Sequence, residues 1–357
     1  MFVAWRDLRF ARGRFVLIGS VVALITLLVG FLSGLTGGLA SQNVSAVLSL
    51  PGDHLVFSAP SAGEAGGASF ADSAITEEQT RAWTDAAGVA DVSAIGVNQT
   101  RAEAGARKTA IAVFGVEPGF DADSPASDGS LVLSAPVAED LAVSIGDAVT
   151  IAGTEYTVAA VGAESWYSHT PVVRMTLHDW QAYSAATGHP GTFATILSVT
   201  GDPDWAAVNE TTDTLSQSPL ASLTAIGAFR SEIGSLLLMV AMLFGISALV
   251  IGAFFTVWTM QRKGDIAVLK ALGASTRSLV RDALGQALVV LVIGVGVGIG
   301  IVALLGTLAG TALPFILNPV TTVLPGGIMI VLGLAGAAFA LRSVTTADPL
   351  TALGSNR

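Results

Sequence analysis

The sequence contains no cysteine, and only 12% of its residues are charged. Without cysteine the chain has no disulfide, no thiolate nucleophile and no cysteine-based metal site. The nucleotide-binding loop G-x-x-x-x-G-K-[ST], the zinc-protease pattern H-E-x-x-H and the nucleophile elbow G-x-S-x-G are also absent. These absences argue against an enzyme.

Histidine is scarce as well. The four histidines are His54, His169, His178 and His189, and their spacing matches no helical metal-binding pattern. We expect solvated structural roles for them and no metal ion of the chain's own. The formal net charge of −10 gives no support to a nucleic-acid partner.

What the sequence has in abundance is apolar residues, at 52%, and they are clustered. Four long runs, at 15–40, 233–260, 283–317 and 323–341, lack Asp, Glu, Lys and Arg, and each can cross a hydrocarbon core, which takes roughly 20 apolar residues. We predict transmembrane helices at 15–46, 231–260, 283–317 and 323–341. The third run is long, so we expect a tilted helix that breaks near Pro314, followed by a short turn at Asn318-Pro319.

Charge is distributed unevenly between the segments that flank these runs. Segments 1–14, 261–282 and 342–357 together carry eleven basic and four acidic residues, whereas the remainder carries six basic and 23 acidic residues. The positive-inside rule places the three basic segments in the cytoplasm and residues 47–230 outside. The sequence therefore predicts a multi-pass protein of the cell membrane with cytoplasmic termini and an acidic external domain.

The first apolar run could also be read as a cleavable signal peptide, because Arg6, Arg9, Arg12 and Arg14 precede it and small residues stand at 38–40. The run exceeds the 7 to 15 residues usual for such peptides, which favours a membrane span. The rest of the topology is the same in both cases.

The external region 47–230 alternates strand-like and helix-like segments. We predict strands at 53–58, 89–102 and 108–116, a helix that starts with a capping box at Thr76, and a linker at 118–129. A helix at 176–186, a strand at 192–199 and a helix at 202–215 follow. This order is typical of a split ferredoxin-like α/β domain, here with a β-rich insert at about 119–165. The predicted fold class is thus an α-helical membrane protein with four transmembrane helices and a large extracytoplasmic α/β domain.

Glycines repeat every four residues in two of the apolar runs. Gly30, Gly34 and Gly38 form such a ridge in the first run, and such ridges allow helices to approach closely. We consider both a homodimer seam and a substrate groove for this ridge. The third run contains Gly294 with Gly298 and Gly296 with Gly300, for which we favour packing within the chain.

The segment 261–275 is short, basic and amphipathic. Ile266, Leu269 and Leu272 fall on one side of a helical projection, and Arg262 and Lys263 fall on another. A helix on the membrane surface and a docking helix for a cytoplasmic partner both account for this pattern.

A family resemblance decides between them. Residues 262–275, RKGDIAVLKALGAS, resemble the R-x-x-E-I-x-x-L-R-A-L-G-A-S segment of the MacB/FtsX-type ABC transporter permeases, with Asp265 and Lys270 in the places of Glu and Arg. The ending ADPLTAL at 347–353 resembles that family's D-P-x-x-A-L. The order of one span, a large external domain and three spans is also that of the family, so the resemblance covers the whole chain.

The resemblance implies a permease subunit that binds no ATP itself. Two copies would pair with two copies of a separate ABC ATPase, which would move the spans as a mechanical lever. The residues implied in ATPase coupling are Arg262, Lys263, Asp265, Leu269 and Lys270.

Two further stretches resemble the haem-exporter branch of that family: FLSGLTGGLA at 31–40, followed by Asn43 and DHLVFS at 53–58, and WYSHTPVV at 166–173. The resemblance implies haem as the transported substrate, with no intrinsic cofactor. Lateral capture of haem from the outer leaflet would suit a flat apolar ligand, with membrane lipid as the other contact.

From this resemblance follows a set of candidate haem-binding residues near the outer membrane surface. Phe229 could stack on the macrocycle, Arg230 or Arg174 could pair with a propionate, and Tyr167, His169, Glu232 or Met239 could reach the iron. The complete set is Gly30, Gly34, Gly38, Tyr167, His169, Arg174, Phe229, Arg230, Glu232 and Met239.

Two other functions are compatible with the same sequence. A permease of this type could move lipids, lipoproteins or antimicrobial peptides through the same outer groove. Alternatively, an FtsX-like scaffold could export nothing and transmit the motor's strokes to a cell-wall hydrolase.

Overall fold

The chain divides into two compact units in the computed structural model. The helical unit comprises Met1–Gly38 and Ser235–Arg357, and the sheet unit comprises Leu39–Gly234. The structure describes residues 12–60, 66–261, 264, 268, 272–310 and 313–345.

Four long helices are apolar and long enough to cross a membrane. With all elements numbered along the chain, they are α1 (Arg12–Leu48), α7 (Gly227–Gln261), α8 (Thr276–Ala309) and α9 (Pro319–Thr345). A helix is the expected form because it satisfies every backbone N–H and C=O within the segment, where no water is available. The four predicted runs therefore all form helices.

The bounds of the last two helices differ from the predicted ones. Helix α8 begins at Thr276, inside the predicted cytoplasmic segment, because the Ser275 side chain accepts a hydrogen bond from the Ser278 N–H and caps it. It ends at Ala309, well before Pro314, and residues 313–318 are not helical. Helix α9 begins at Pro319, since a proline at the first helical position loses no hydrogen bond.

All four helices contribute to one apolar core in the helical unit. It includes Val22 of α1, Phe255 of α7, Leu291 of α8 and Met329 of α9. Close approach depends on glycine: a Cβ atom at Gly294 would lie 2.8 Å from Val22, and one at Gly336 would lie 3.0 Å from the Cα of Gly252.

The glycines of α8 confirm the expected packing within the chain on one face only. Gly294 and Gly298 contact α1, where a Cβ atom at Gly298 would lie 2.6 Å from Thr26. Gly296 and Gly300 face away, and a Cβ atom on either would meet no described residue within 4 Å. Only half of this double ridge is therefore used to pack helices in the described chain.

The sheet unit contains a ten-stranded sheet in the order β10-β1-β9-β2-β3-β8-β4-β6-β5, with β7 paired to β8. The long strand β2 pairs with β9 in its first half and with β5 near its end. The path β2-β3-β8-β4-β6-β5 therefore returns to β2 and closes a ring of six strands. The strands are β1 His54–Ser58, β2 Val89–Ala104, β3 Arg107–Val116, β4 Ser130–Ser134, β5 Ala148–Ile151, β6 Thr154–Gly162, β7 Trp166–Tyr167, β8 Thr170–Thr176, β9 Ile196–Gly201 and β10 Thr214–Gln217.

Short helices cover this sheet: α2 Glu77–Thr84, α3 Ala135–Leu141, α4 Leu177–Ala186, α5 Trp205–Thr212 and α6 Pro219–Ser222. The predicted capping box of α2 is confirmed, with Thr76 and Gln79 exchanging hydrogen bonds. The predicted helix at 202–215 is too long at both ends. Asp204 caps α5, and Asp213 takes a left-handed conformation that ends it, so Thr214 begins β10.

The predicted β-rich insert at 119–165 contains β4, β5 and β6, and these strands join the main sheet. Strand β4 pairs with β8, and Ala102 of β2 pairs with Ile151 of β5. Beside this junction, the buried Trp180 of α4 packs on Gly96 and Gly115, which are register partners in β2 and β3. The fold class of four apolar helices and one large α/β domain is as predicted.

Candidate functional site

A tight hairpin turn brings a histidine to helix α1. Strands β7 and β8 are joined by Ser168 and His169, whose φ angles are 50° and 62°. Two positive φ values are typical of a type I′ turn, which normally takes Asn or Gly and costs other residues about 1 to 2 kcal/mol each. The turn is held in place because the backbone N–H groups of Ser168 and His169 donate to the carbonyls of Asn43 and Gln42, each at 3.0 Å.

A second contact fixes the same hairpin. The backbone N–H of Trp166 donates to Ser45 Oγ at 2.9 Å, and that hydroxyl donates to the Trp166 carbonyl at 3.3 Å. The hairpin is thus held on α1 through Gln42, Asn43 and Ser45. The cost of the left-handed turn is offset by these hydrogen bonds, so the imidazole of His169 has a defined position.

Three polar side chains meet at this turn, and we call them the Asn43–His169–Glu232 cluster. Asn43 Nδ2 lies 2.9 Å from His169 Nε2 and 2.9 Å from Glu232 Oε2. His169 Nε2 lies 3.0 Å from Glu232 Oε2 and 3.1 Å from Oε1. Asn43 is buried, with 1% of its surface exposed, whereas the side chains of His169 and Glu232 are 33% and 40% exposed. A ligand therefore has access to an imidazole and a carboxylate that stand side by side.

Of the residues proposed from the sequence, His169 and Glu232 are brought together, although they are far apart in the chain. Asn43 was not among them. Its signal in the sequence is a polar amide within a long, mostly apolar helix, and such a residue is usually functional or paired.

Tyr167 is placed differently from the expectation. It is 7% exposed and belongs to the core of the sheet unit, with ring centroids 5.6 Å from Phe70 and 5.7 Å from Phe114. Burial raises the pKa of its phenol far above the ordinary value. Burial disfavours a phenolate at this position, which argues against Tyr167 as an iron ligand.

Arg174 is also engaged elsewhere. Its side chain is 8% exposed and forms an ion pair with Asp121. A buried guanidinium that already has a carboxylate partner is not available to a haem propionate without a large loss. Arg174 therefore has a structural role, and Arg230, which is exposed, is the remaining basic candidate.

The two other candidates on α7 lie as follows. Phe229 is half-buried and packs against the core of the sheet unit, which leaves only part of its ring for a ligand. Met239, in the helical unit, is 48% exposed.

The glycine ridge of α1 requires a correction. A Cβ atom at Gly30 would lie 2.9 Å from Val302, one at Gly34 would overlap the ring of Phe315, and one at Gly38 would overlap the carbonyl of Pro314. Segments that follow later in the same chain therefore fill the ridge. It is neither an open substrate groove nor a free homodimer seam, because the notches left by the missing side chains are already occupied.

The residues implied in ATPase coupling cannot be placed in this way. Arg262, Lys263, Asp265, Leu269 and Lys270 lie outside the described residues. The same holds for the ending ADPLTAL.

One other group of metal-binding side chains occurs in the sheet unit, and it consists of Asp128, His178 and Asp179. Asp128 and His178 are exposed and 2.9 Å apart. A hydrogen bond from Thr176, followed by the charge of His178, holds the pKa of Asp128 below its usual value. His178 is thus exposed, in agreement with its predicted place on a helix surface.

Comparison with known proteins gives two family matches. Residues 16–215 match the MacB-like periplasmic core domain, and residues 246–349 match the FtsX-like permease C-terminal domain. The first match alone covers more than half of the chain.

Similar proteins extend over the full length. The chain is 25% identical over 366 residues to a protein named putative hemin transport system permease protein HrtB of Staphylococcus haemolyticus, with 99% of both chains covered. A protein of the same name from Staphylococcus epidermidis is 22% identical over 363 residues, with both chains fully covered. An uncharacterized ABC transporter permease of Mycobacterium tuberculosis is 25% identical over 369 residues, with 99% of both chains covered.

Among solved structures, the extracellular domain of the ABC-type transporter YknZ from Gram-positive bacteria aligns with 48% of this chain and 91% of its own, at 19% identity and a TM-score of 0.33. The periplasmic region of MacB from Actinobacillus actinomycetemcomitans aligns with 49% of this chain and 92% of its own, at 8% identity and a TM-score of 0.36.

The family matches account for the architecture described above. A periplasmic core domain implies that the α/β domain lies outside the cytoplasm, and the four apolar helices provide the membrane part. An ABC permease also implies a partner that binds and hydrolyses ATP. The chain belongs to the MacB/FtsX family and is the permease subunit of an ABC transporter.

Proposed function

We propose that this permease exports haem from the membrane and so protects the cell against haem toxicity. The observation that carries the proposal is the pair His169 and Glu232, whose Nε2 and Oε2 atoms lie 3.0 Å apart. Both side chain types ligate iron, both are partly exposed, and the two full-length relatives from Staphylococcus are named putative hemin transport system permease proteins.

Each neighbour of this pair has a role that its position supports. The buried Asn43 amide contacts both groups and fixes their orientation. The exposed Arg230 precedes Glu232 by two residues and can reach a propionate. The half-buried Phe229 offers part of its ring to the macrocycle. Glu232, His169, Arg230 and Phe229 are thus the haem-binding residues of this proposal.

The transport mechanism we propose is that of a lever. Two copies of this chain pair with two copies of a separate ATPase, which binds the cytoplasmic segment 261–282 and tilts the spans when ATP closes the motor. The basic segments 1–14, 261–282 and 342–357 lie in the cytoplasm. Haem enters laterally from the outer leaflet, where a flat apolar molecule partitions.

The test is a titration of the purified full-length chain in detergent with hemin, followed by the Soret band. Glu232→Gln and His169→Ala each remove one of the two candidate iron ligands. One of the two binds the iron and the other orients it, so we expect each change to weaken binding about tenfold or more. Matched controls are Glu210→Gln and His178→Ala, since both residues are exposed on the sheet unit away from the cluster. Cells that express the permease with its ATPase should lose tolerance to hemin when the permease carries Glu232→Gln or His169→Ala. They should keep it when the permease carries either control change.

Two results would contradict the proposal. One is that hemin shows the same Soret band with this chain as with an unrelated membrane protein, which would mean that the chain does not bind hemin specifically. The other is unchanged hemin tolerance when Glu232 and His169 are replaced together.

A further inference from the structure

The Asn43–His169–Glu232 cluster has more short contacts than its protons can satisfy. The imidazole Nε2 carries either one proton or one lone pair, so with Glu232 ionised it cannot donate to the carboxylate and accept from the Asn43 amide at the same time. If Nε2 is protonated, two N–H groups face each other at 2.9 Å. If it is not, a lone pair faces a carboxylate oxygen at 3.0 Å. One of the three contacts is repulsive in either state.

The amide of Asn43 adds a second observation. Its Oδ1 atom is buried and has no hydrogen-bond partner among the described residues. A buried acceptor without a donor costs about 1 to 3 kcal/mol. Rotating the amide by 180° exchanges its oxygen and nitrogen, moves no other group, and places the N–H₂ group in the buried position that the oxygen leaves. The oxygen then points into the cluster, 2.9 Å from both His169 Nε2 and Glu232 Oε2.

With the amide in that orientation and His169 in the tautomer whose Nε2 is unprotonated, the cluster consists of three electron-pair donors, at mutual distances of 2.9, 2.9 and 3.0 Å. Two ligands at right angles on an ion about 2.1 Å away are about 3.0 Å apart. The triangle therefore has the size of one face of an octahedron. A positive ion on this face removes the repulsion between the lone pairs and binds the Asn43 oxygen directly.

We propose that Asn43, His169 and Glu232 form a binding site for a divalent first-row transition metal ion. One imidazole nitrogen, one carboxylate oxygen and one amide oxygen suit Mn²⁺, Fe²⁺, Co²⁺ or Zn²⁺ better than the all-oxygen ions Mg²⁺ and Ca²⁺. The other positions of the ion are open to water, because His169 and Glu232 are partly exposed. The ion joins α1, the β7–β8 turn and the start of α7.

This site is distinct in its chemistry from a haem site. Haem iron holds four porphyrin nitrogens in its plane and accepts a protein ligand only along the axis on each face. One of the three donors can therefore reach a haem iron from this side, whereas a free ion accepts all three together. The inference does not depend on haem export, and its test uses the metal alone.

The experiment is a calorimetric and visible-absorption titration of the chelator-treated full-length chain in detergent with Co²⁺, and Zn²⁺ serves as competitor. We expect one Co²⁺ per chain with an absorption band typical of a nitrogen and oxygen environment. Loss of a residue that only orients a metal ligand lowers metal affinity by roughly 10- to 100-fold. Glu232→Gln and His169→Ala remove ligands themselves, so each should lower the affinity for Co²⁺ by more than this. His178→Ala, which disrupts the exposed group Asp128, His178 and Asp179, should leave the affinity unchanged.

The variant Asn43→Asp shows whether Asn43 acts as a metal ligand or as a hydrogen-bond donor. An aspartate adds a charged oxygen ligand, so Co²⁺ should bind more tightly than to the wild type, and the metal should raise the melting temperature of this variant most. If the Asn43 amide acts only as a donor, the variant places three acceptors together and binds Co²⁺ no better. That result would overturn the proposal, as would equal Co²⁺ binding by the wild type, Glu232→Gln and His169→Ala.

Discussion

The ring of Phe315 occupies the position that a side chain on Gly34 would fill. Phe315 follows the end of α8, and its ring also contacts Gly306 and lies 5.0 Å from the ring of Phe31. The backbone N–H of Ile316 donates to the Gly34 carbonyl at 3.2 Å. The glycine of α1 therefore provides the notch that lets the connection between α8 and α9 fold back onto α1.

Replacement of Gly34 by alanine should destabilise the helical unit by about 1 to 3 kcal/mol, because the added methyl group overlaps the Phe315 ring. Removal of the ring by Phe315→Ala should reduce the effect of Gly34→Ala in the double variant, which identifies the pair as coupled. The measurement is thermal unfolding of the full-length protein in detergent. Gly296→Ala is the control, since its methyl group meets no described residue within 4 Å and alanine favours the helix. Equal melting temperatures for the two alanine variants would contradict the assignment.

The sequence predicted the glycine ridge correctly as a feature of close packing but not its partner. The glycine spacing shows that another segment can pack closely on the helix at Gly34. Which segment does so depends on where α8 ends, and the sequence has no charged residue at Ala309 that would indicate this end. The same limit applies to Tyr167, because the sequence WYSHTP does not show which side chain of a two-residue strand faces the core. His169 was proposed because residues 166–173, WYSHTPVV, resemble the haem-exporter branch of the family. Asn43 was missed because its role arises only when the turn at 168–169 docks on α1.

The ion pair between Arg174 and Asp121 should be a stability determinant of the sheet unit. Both side chains are largely withdrawn from water, and Asp121→Asn leaves a buried guanidinium without its partner. We expect a loss of about 3 to 5 kcal/mol for this change, and a smaller loss for the double change Arg174→Met with Asp121→Leu, which removes both charges. Denaturation followed by tryptophan fluorescence measures the effect.

The same variants also test our reassignment of Arg174. If its role is structural, hemin binding by the folded Arg174→Met/Asp121→Leu protein should equal that of the wild type. A selective loss of hemin affinity in a protein of normal stability would restore Arg174 as a propionate partner.

Burial of Tyr167 predicts a loss of stability in alkali. Its pKa is raised in the folded protein, whereas a tyrosine in an unfolded chain titrates near 10. Below about pH 10 both states hold the proton and the free energy of unfolding is unaffected by this group. Above that pH the unfolded state releases the proton while the folded state keeps it, so stability falls by at most about 1.4 kcal/mol per pH unit from this residue.

Tyr167→Phe should therefore show a shallower fall in stability between pH 10 and 11 than the wild type, with parallel behaviour near pH 8. Urea denaturation at these pH values provides the comparison. Hemin binding by the variant should be unchanged, because a buried phenol contributes no ligand. Identical slopes in alkali would mean that the phenol is accessible in the folded protein, and Tyr167 would return as a candidate ligand.

The last prediction concerns segment 261–282, which we propose to be cytoplasmic, and it rests on the sequence of the segment and on the family of the chain. Arg262, Lys263 and Lys270 are three of its five basic residues, and an ATPase that pushes on the spans must hold this segment. Their joint replacement by glutamine should reduce association with the ATPase, and with it the stimulation of ATP hydrolysis by the permease. We expect a reduction of about tenfold, since each exposed charge pair that is lost costs roughly 0.2 to 1 kcal/mol. Pull-down of the ATPase by the tagged permease, together with hydrolysis rates in nanodiscs, measures both.

Arg101, Arg107 and Lys108 are exposed in the sheet unit, and their joint replacement by glutamine gives a control with the same change in charge. Should the two triple variants behave alike, the coupling segment must lie elsewhere in the chain.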